Sequence, residues 1–271
     1  MDNTVDMGFK SRAASVGLGS QKVALSLAGV CKRFGAVNAL SSIDLQVEIG
    51  ERRVLLGTNG AGKTTLFNLI AGDFAPSGGS IGLFGNPLGR KSSSNRARLG
   101  VSRTYQSSAV FDGLTVSDHM VLAAAGASGR QWSLKPLAKS GSQREQAERN
   151  AYQIGLEGKL DVTADLLSHG QRRQLEIGMA LAQSPRLLLL DEPAAGLSPS
   201  ERPMLISLIR ALPRTITLVM IEHDMDVAML LADRVTVMKD GAVVAEGTPD
   251  VVRNNNLVKA IYLGSGETGH G

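Results

Sequence analysis

The chain has 271 residues, 43% hydrophobic and 20% charged, enough for one large α/β unit or a domain with an inserted subdomain. Its net charge of +4 comes from scattered Lys and Arg, which gives no nucleic-acid footprint and suits an anionic ligand or membrane surface only weakly. A single cysteine, Cys31, excludes an internal disulfide and the common zinc spacings and fits a reducing compartment, and no apolar run approaches the roughly 20 residues of a membrane span.

Residues 1–22 are small and polar without periodicity and read as a disordered tail; Met1-Asp2-Asn3 does not open a signal peptide. Between Val23 and Gly57, alternating runs such as Ala24-Leu25-Ser26-Leu27 and Ile43-Asp44-Leu45-Gln46-Val47 predict short antiparallel strands. Cys31, after the apolar run Leu25 to Val30, is expected to be a buried, inert thiol. Arg53 to Leu56 predicts a strand that feeds a glycine-rich loop, and Thr64 to Ala71 a helix. From about Val110 to Gln183 the texture becomes helical: Val116 to Ala125, Gln143 to Ile154 and Gln171 to Ala182, with Gly126 to Gly141 loop-like. Then strands and helices alternate: Arg186 to Leu190, Ser200 to Leu212, Thr215 to Ile221, Met225 to Ala232 and Val235 to Met238. Alternation of this kind predicts a parallel sheet covered by helices.

Three stretches carry chemistry. Gly57-Thr58-Asn59-Gly60-Ala61-Gly62-Lys63-Thr64 matches G-x-x-x-x-G-K-[ST] with a strand before and a helix after. The glycines let the backbone turn and aim N–H groups at phosphates, the helix start adds its positive end, Lys63 supplies a charge for the β- and γ-phosphates, and Thr64 offers a hydroxyl to Mg²⁺. In Leu187-Leu188-Leu189-Leu190-Asp191-Glu192, an apolar strand delivers two carboxylates at its carboxyl end, where open α/β sheets place ligands. Asp191 would hold Mg²⁺, and Glu192, pointing the opposite way if the strand continues, would polarise a water. Leu167-Ser168-His169-Gly170-Gln171 opens a helix with Ser168 as N-cap. These residues fit equally a capped, solvated helix end and an anion site.

In this order the motifs resemble those of the ATP-binding-cassette (ABC) ATPases, from about Val23 to Gly264. Residues 57–65, ending in Thr65, are similar to Walker A, and Gln106 in Ser102-Arg103-Thr104-Tyr105-Gln106 to the Q-loop glutamine. Ser168 to Gln171 resembles the signature, Asp191-Glu192 Walker B with its catalytic Glu, His223 in Ile221-Glu222-His223-Asp224 the switch histidine, and Phe34 in Lys32-Arg33-Phe34-Gly35 the adenine-stacking aromatic. The resemblance implies a P-loop fold of the ABC type: a parallel-sheet core, an antiparallel β subdomain, and a helical subdomain inserted at about 107–183 of a domain spanning 23–264, with a tail at 265–271. It implies ATP and Mg²⁺ as ligands. Phe34, Gly57, Asn59, Gly60, Ala61, Gly62, Lys63, Thr64 and Thr65 would contact the nucleotide. Thr64, Gln106 and Asp191 would face the metal, and Lys63, Gln106, Glu192 and His223 would serve catalysis.

The family also implies a head-to-tail pair of cassettes, identical or paralogous, in which Ser168, Gly170 and Gln171 face the partner's ATP. Its transport members dock on integral membrane permeases at the cytoplasmic face of the inner membrane, supplied indirectly by a solute-binding protein. Two positions depart from the common pattern: His169 stands where a Gly is usual, and Ser198 where the D-loop often has Asp. Together with Leu175 to Leu181, Arg103 to Gln106, Ala194 to Pro199, Ile221 to Met225 and the close Ile261-Tyr262-Leu263-Gly264, these resemble the ATP-binding subunits of branched-chain amino-acid importers. Urea importers share much of the pattern, as does the lipopolysaccharide-export ATPase, whose signature normally keeps its second Gly. Soluble nucleotide-switch members usually carry two cassettes or a long coiled coil, and this chain shows neither. A non-catalytic module is disfavoured by the intact Asp191-Glu192 pair.

Overall fold

The computed structural model describes residues 22–104, 110–127 and 141–263. Gln106 lies outside the described residues, as do nearly all of the two expected tails and most of the loop after Gly126. In chain order the elements are β1 (Val23–Phe34), β2 (Val37–Glu48), β3 (Arg52–Gly57), α1 (Lys63–Ala71), β4 (Gly78–Leu83), β5 (Asn86–Pro87), α2 (Ser93–Arg98) and β6 (Val101–Arg103). Then come α3 (Val116–Ala127), α4 (Gly141–Gln153), α5 (His169–Ala182), β7 (Leu187–Asp191), α6 (Arg202–Ala211), β8 (Thr217–Glu222), α7 (Met225–Leu231), β9 (Arg234–Lys239), β10 (Ala242–Gly247), α8 (Pro249–Asn254) and α9 (Asn256–Leu263).

Two sheets form. One runs β2-β1-β4-β5 and is antiparallel. The other runs β10-β9-β3-β8-β7-β6, parallel throughout except for the antiparallel edge strand β10. The apolar run ending in β3 therefore divides: β1 and β2 pair with each other, and β3 crosses to the centre of the parallel sheet.

Continuous burial explains the central strands. Leu187 to Leu190 are each 0% exposed, so the strand shows no polar alternation. Its period of two survives in the packing. Val54, Leu56, Leu188, Leu190, Leu218 and Met220 point into one core, shared with α3–α7. Leu55, Leu187, Leu189, Val219 and Ile221 point into the other, shared with α1 and the antiparallel sheet. Each buried leucine contributes about 2 kcal/mol relative to an exposed one. Arg53, 1% exposed, ties the sheets together: its Nη2 donates to Gln46 O on β2 and its Nη1 to Thr236 Oγ1 on β9, both 2.8 Å.

Two local expectations are corrected. Cys31 is half-buried rather than buried, and its Sγ accepts from Ser42 N at 3.2 Å. Helix α6 begins at Arg202 rather than Ser200, because Ser198 to Glu201 form a hydrogen-bonded turn before Pro203 enters the first helical turn. The short elements β4, β5, α2 and β6, the edge strand β10 and the pair α8–α9 had no sequence-based expectation. His119, assigned no role from sequence, is a core residue at 0% exposure: its Nε2 accepts from Phe111 N at 2.9 Å, so its Nδ1 donates to Thr115 O at 2.8 Å.

Candidate functional site: a phosphate loop at the carboxyl edge of the sheet

Strand β3 delivers the glycine-rich loop at the carboxyl edge of the parallel sheet. Gly57 is required by close approach: a Cβ there would sit 2.4 Å from the carbonyl oxygen of Met238 on β9. Gly62, at φ +95°, occupies the left-handed region that side chains avoid, and it is the N-cap of α1. No side chain caps that helix and no acidic residue stands in its first turn, so its amide groups remain available to an anion.

The Lys63 ammonium is buried within the loop, donating to Gly57 O at 2.6 Å and Thr58 O at 3.0 Å. Burial pulls its pKa below the usual lysine value, opposed by the nearby Glu192 and Asp191 carboxylates. Residues 59–65, Glu192, Val37 to Ala39, Asp240 and Gly241 line a cavity of about 610 Å³. The sequence-predicted residues Asn59, Gly60, Ala61, Gly62, Lys63, Thr64 and Thr65 thus line one cavity together with Glu192.

The two carboxylates after β7 part ways, for a different reason than expected. The strand does not continue: it ends at Asp191, and Glu192 turns into the left-handed region at φ +46°, its amide donating to Ile221 O at 3.0 Å. This sharp turn, not strand alternation, brings the Glu192 carboxylate to the cavity, where it lies 3.4 Å from His223 Nδ1. Asp191 remains 1% exposed. Its Oδ2 accepts from Arg103 Nη2 at 3.0 Å, while Oδ1 is buried without a hydrogen-bond partner. Burial raises the Asp191 pKa and the Arg103 bond opposes the rise. Arg103 also bridges to Asp73 at 2.9 Å and Asn68 at 2.5 Å, so it links the end of α1 to β7.

Phe34 ends β1 with its ring 43% exposed. It does not line the cavity; it meets Phe74 edge-on at 5.5 Å, with Lys32 Nζ 4.8 Å from its centroid.

A family model for ABC transporters matches residues 40–195. BraF of Pseudomonas aeruginosa, a high-affinity branched-chain amino acid transport ATP-binding protein, is 36% identical over 248 residues, covering 89% of this chain and 97% of that protein. LivG of Escherichia coli K12, of the same description, is 38% identical over 254 residues with the same coverage. The chain belongs to the ABC transporter family. Solved cassettes share the fold: a nucleotide-free ATP-binding cassette superposes with a TM-score of 0.79 at 26% identity, covering 89% of this chain and 98% of that one. The ADP conformation of MJ1267, an ATP-binding cassette of an ABC transporter, gives 0.80 at 26% identity, covering 89% and 99%.

The segment expected to be the signature, Ser168 to Gln171, lies at the start of α5. Ser168 is the N-cap: its hydroxyl accepts from Gln171 N at 3.3 Å, and Gln171 Oε1 accepts from Ser168 N at 3.1 Å, a reciprocal capping box. The unusual His169 lies over the D-loop, its ring 3.2 Å from where a Cβ on Gly196 would stand. Arg173 joins this helix to the turn after β7, its Nη2 donating to Glu192 O at 2.9 Å and its Nε to Pro193 O at 3.1 Å. Arg173 and Glu201 were not singled out from sequence, and Arg103 entered only within the stretch that leads to Gln106; no spacing of theirs reveals the partners they meet. Among the described residues, no helix is long and apolar enough to cross a membrane.

Proposed function

We propose that this cassette is the ATP-hydrolysing subunit of an importer for branched-chain or related amino acids. The observation that carries hydrolysis is the convergence of Lys63, the uncapped start of α1, and Glu192 on one cavity, with His223 touching Glu192. The substrate class rests on the relatives, whose descriptions name branched-chain amino acid transport.

In this reading the triphosphate of ATP lies along residues 59–65, and the Lys63 ammonium shifts from the loop carbonyls to the β- and γ-phosphates. Water attacks the γ-phosphorus, its proton passes to Glu192, and the bond to the bridging oxygen breaks, leaving ADP and inorganic phosphate. His223 holds the Glu192 carboxylate and reaches the γ-phosphate. The residues also fit Mg²⁺. Asp191 keeps a buried oxygen without a partner, Thr64 stands on the cavity wall, and no described cluster of three or more His, Cys, Asp or Glu exists to encage a metal by itself. That donor set suits an ion held by one or two side chains, phosphates and water. Thr64, Asp191 and Gln106 would hold it, and the ion would neutralise charge on the β- and γ-oxygens.

The cassette works head to tail with a second one, identical or paralogous, so that Ser168, Gly170 and Gln171 contact the partner's ATP. Residues 23–264 act as one cassette, with the segment 107–183 as the arm that meets a pair of permease subunits at the cytoplasmic face of the membrane. A solute-binding protein supplies the amino acid. The test is uptake of labelled leucine and labelled urea in source cells carrying Lys63→Ala. Loss of leucine uptake alone is expected; loss of urea uptake alone overturns the substrate class, and unchanged uptake of both overturns the importer reading.

A further inference from the structure

The start of α5 already holds an anion. Glu201, just before α6, places Oε1 3.0 Å from Ser168 Oγ and 2.9 Å from Gly170 N, both donors. Its Oε2 accepts from Ser198 Oγ at 2.8 Å and Ser198 N at 3.2 Å. The carboxylate lies so close to the helix start that a Cβ on Gly170 would meet Oε1 at 2.7 Å. No Lys or Arg forms an ion pair with Glu201 among the described residues; neutral hydroxyls and amides hold its charge. This is the donor set that holds a phosphate at a helix N-terminus. It contrasts with α1, whose N-cap Gly62 offers no side chain to its start.

Resting on the head-to-tail reading above, we infer that Glu201 is a built-in competitor for the partner's nucleotide: its carboxylate occupies Ser168 and Gly170 until the γ-phosphate of the opposing ATP displaces it. Two anions cannot share the same hydroxyl and amide, so closure of the paired cassettes requires Glu201 to swing away. The four donors hold its pKa down to about 2, so the carboxylate stays charged at every working pH. The same side chain binds Ser198, so its departure also frees the D-loop. The two sequence departures then belong to one latch: Ser198 grips the carboxylate, and His169 covers Gly196 of the same loop. An occupied site weakens apparent affinity by the fraction of time it is open. If the latch is open about one-tenth of the time, the cost is about tenfold in ATP concentration.

The test is ATP-driven association of the full chain, alone and mixed with the second cassette that purifies with it, in the slow-hydrolysing Glu192→Gln background. Light scattering after size exclusion gives the ATP concentration at half-association. Adding Glu201→Ala should lower that midpoint about tenfold, and adding Glu201→Gln, which keeps an acceptor without the charge, should lower it less. Glu201 makes no side-chain cap to α6, so removing it leaves that helix start intact, and a thermal melt checks the fold. Without nucleotide, the Gly170 amide should exchange faster in Glu201→Ala than in the parent. If Glu192→Gln associates with ATP but Glu201→Ala leaves the midpoint unchanged or raises it, the latch is wrong and the head-to-tail reading stands. If no mixture associates with ATP, the head-to-tail reading falls and the latch falls with it.

Discussion

Replacing Arg103 by Met tests how Asp191, at the end of β7, is held. Arg103 is 9% exposed at its side chain and Asp191 is 1% exposed, so their 3.0 Å contact is a buried ion pair. Methionine keeps much of the volume and packs on Phe67, which the guanidinium now faces at 5.8 Å. It leaves the Asp191 carboxylate without its hydrogen-bonded cation, with the electrostatic influence of Arg173 and Lys63 remaining. Removing one partner of a buried pair costs about 3–5 kcal/mol, because the remaining charge stays in the interior. Asp73, at 30% exposure, can turn to water and adds little. The pH dependence follows from the Asp191 pKa, which burial already raises and Arg103 holds down. Without Arg103 it rises further. A carboxyl whose folded pKa is raised costs nothing when protonated at low pH, and destabilises increasingly as pH climbs through the window above its ordinary value. The loss in Arg103→Met should therefore be about 3–5 kcal/mol at pH 8 and clearly smaller at pH 5, measured by urea unfolding with an unchanged slope. A loss below about 1 kcal/mol at pH 8, or one independent of pH, would refute the buried-pair account.

Glu222, 1% exposed beneath the site, has its pKa raised to about 7 by burial, so the folded protein carries a charge penalty that grows from about pH 4.5 to pH 7. Glu222→Gln should stabilise by up to about 3 kcal/mol at pH 8 and change little at pH 5; equal effects at both pH values in thermal melts would contradict the shift. In Gly57→Ala, the new Cβ meets the Met238 carbonyl, so the loop must move. Nucleotide affinity by calorimetry should fall at least about tenfold, alongside about 1–3 kcal/mol of stability. His223→Ala should lower ATP turnover by about 10²-fold or more in a phosphate-release assay while ATP binding stays within about threefold, since His223 touches Glu192 and not the loop. Ser168→Ala removes the reciprocal cap of α5 and should cost about 1 kcal/mol in a denaturant melt.

Much of the site was legible in the sequence because backbone geometry dictated it. A phosphate loop needs glycine where φ is positive or a strand passes too close, and those needs are met at Gly57 and Gly62 within a few residues of Lys63 and Thr64. The cap of α5 was legible for the same reason: Ser168 and Gln171 satisfy the helix start across three residues. The central strands were legible as unbroken leucine and valine runs, although their division between two cores was not, since both faces are apolar. Strand alternation predicts that Glu192 points away from Asp191 only if the strand continues; the strand ends at Asp191, and a left-handed turn aims the side chain instead. Phe34 was placed by motif alone; the fold sets its ring against Phe74, and it is not among the residues that line the cavity.

The sequence by itself determined the phosphate loop, the paired carboxylates after an apolar strand, and the cap of the signature helix, because each is settled by neighbours a few residues apart. Only the tertiary structure decided which distant groups meet. Arg103 reaches Asp191 across 88 positions, and Glu201 reaches Ser168 across 33. Strand order sets such contacts: β6 lies beside β7, so Arg103 arrives next to the strand that ends in Asp191. The turn after β7 brings Glu201 back to the start of α5. A lone arginine or glutamate carries no spacing that announces its partner; the register of the sheet and the reversal of the chain choose it.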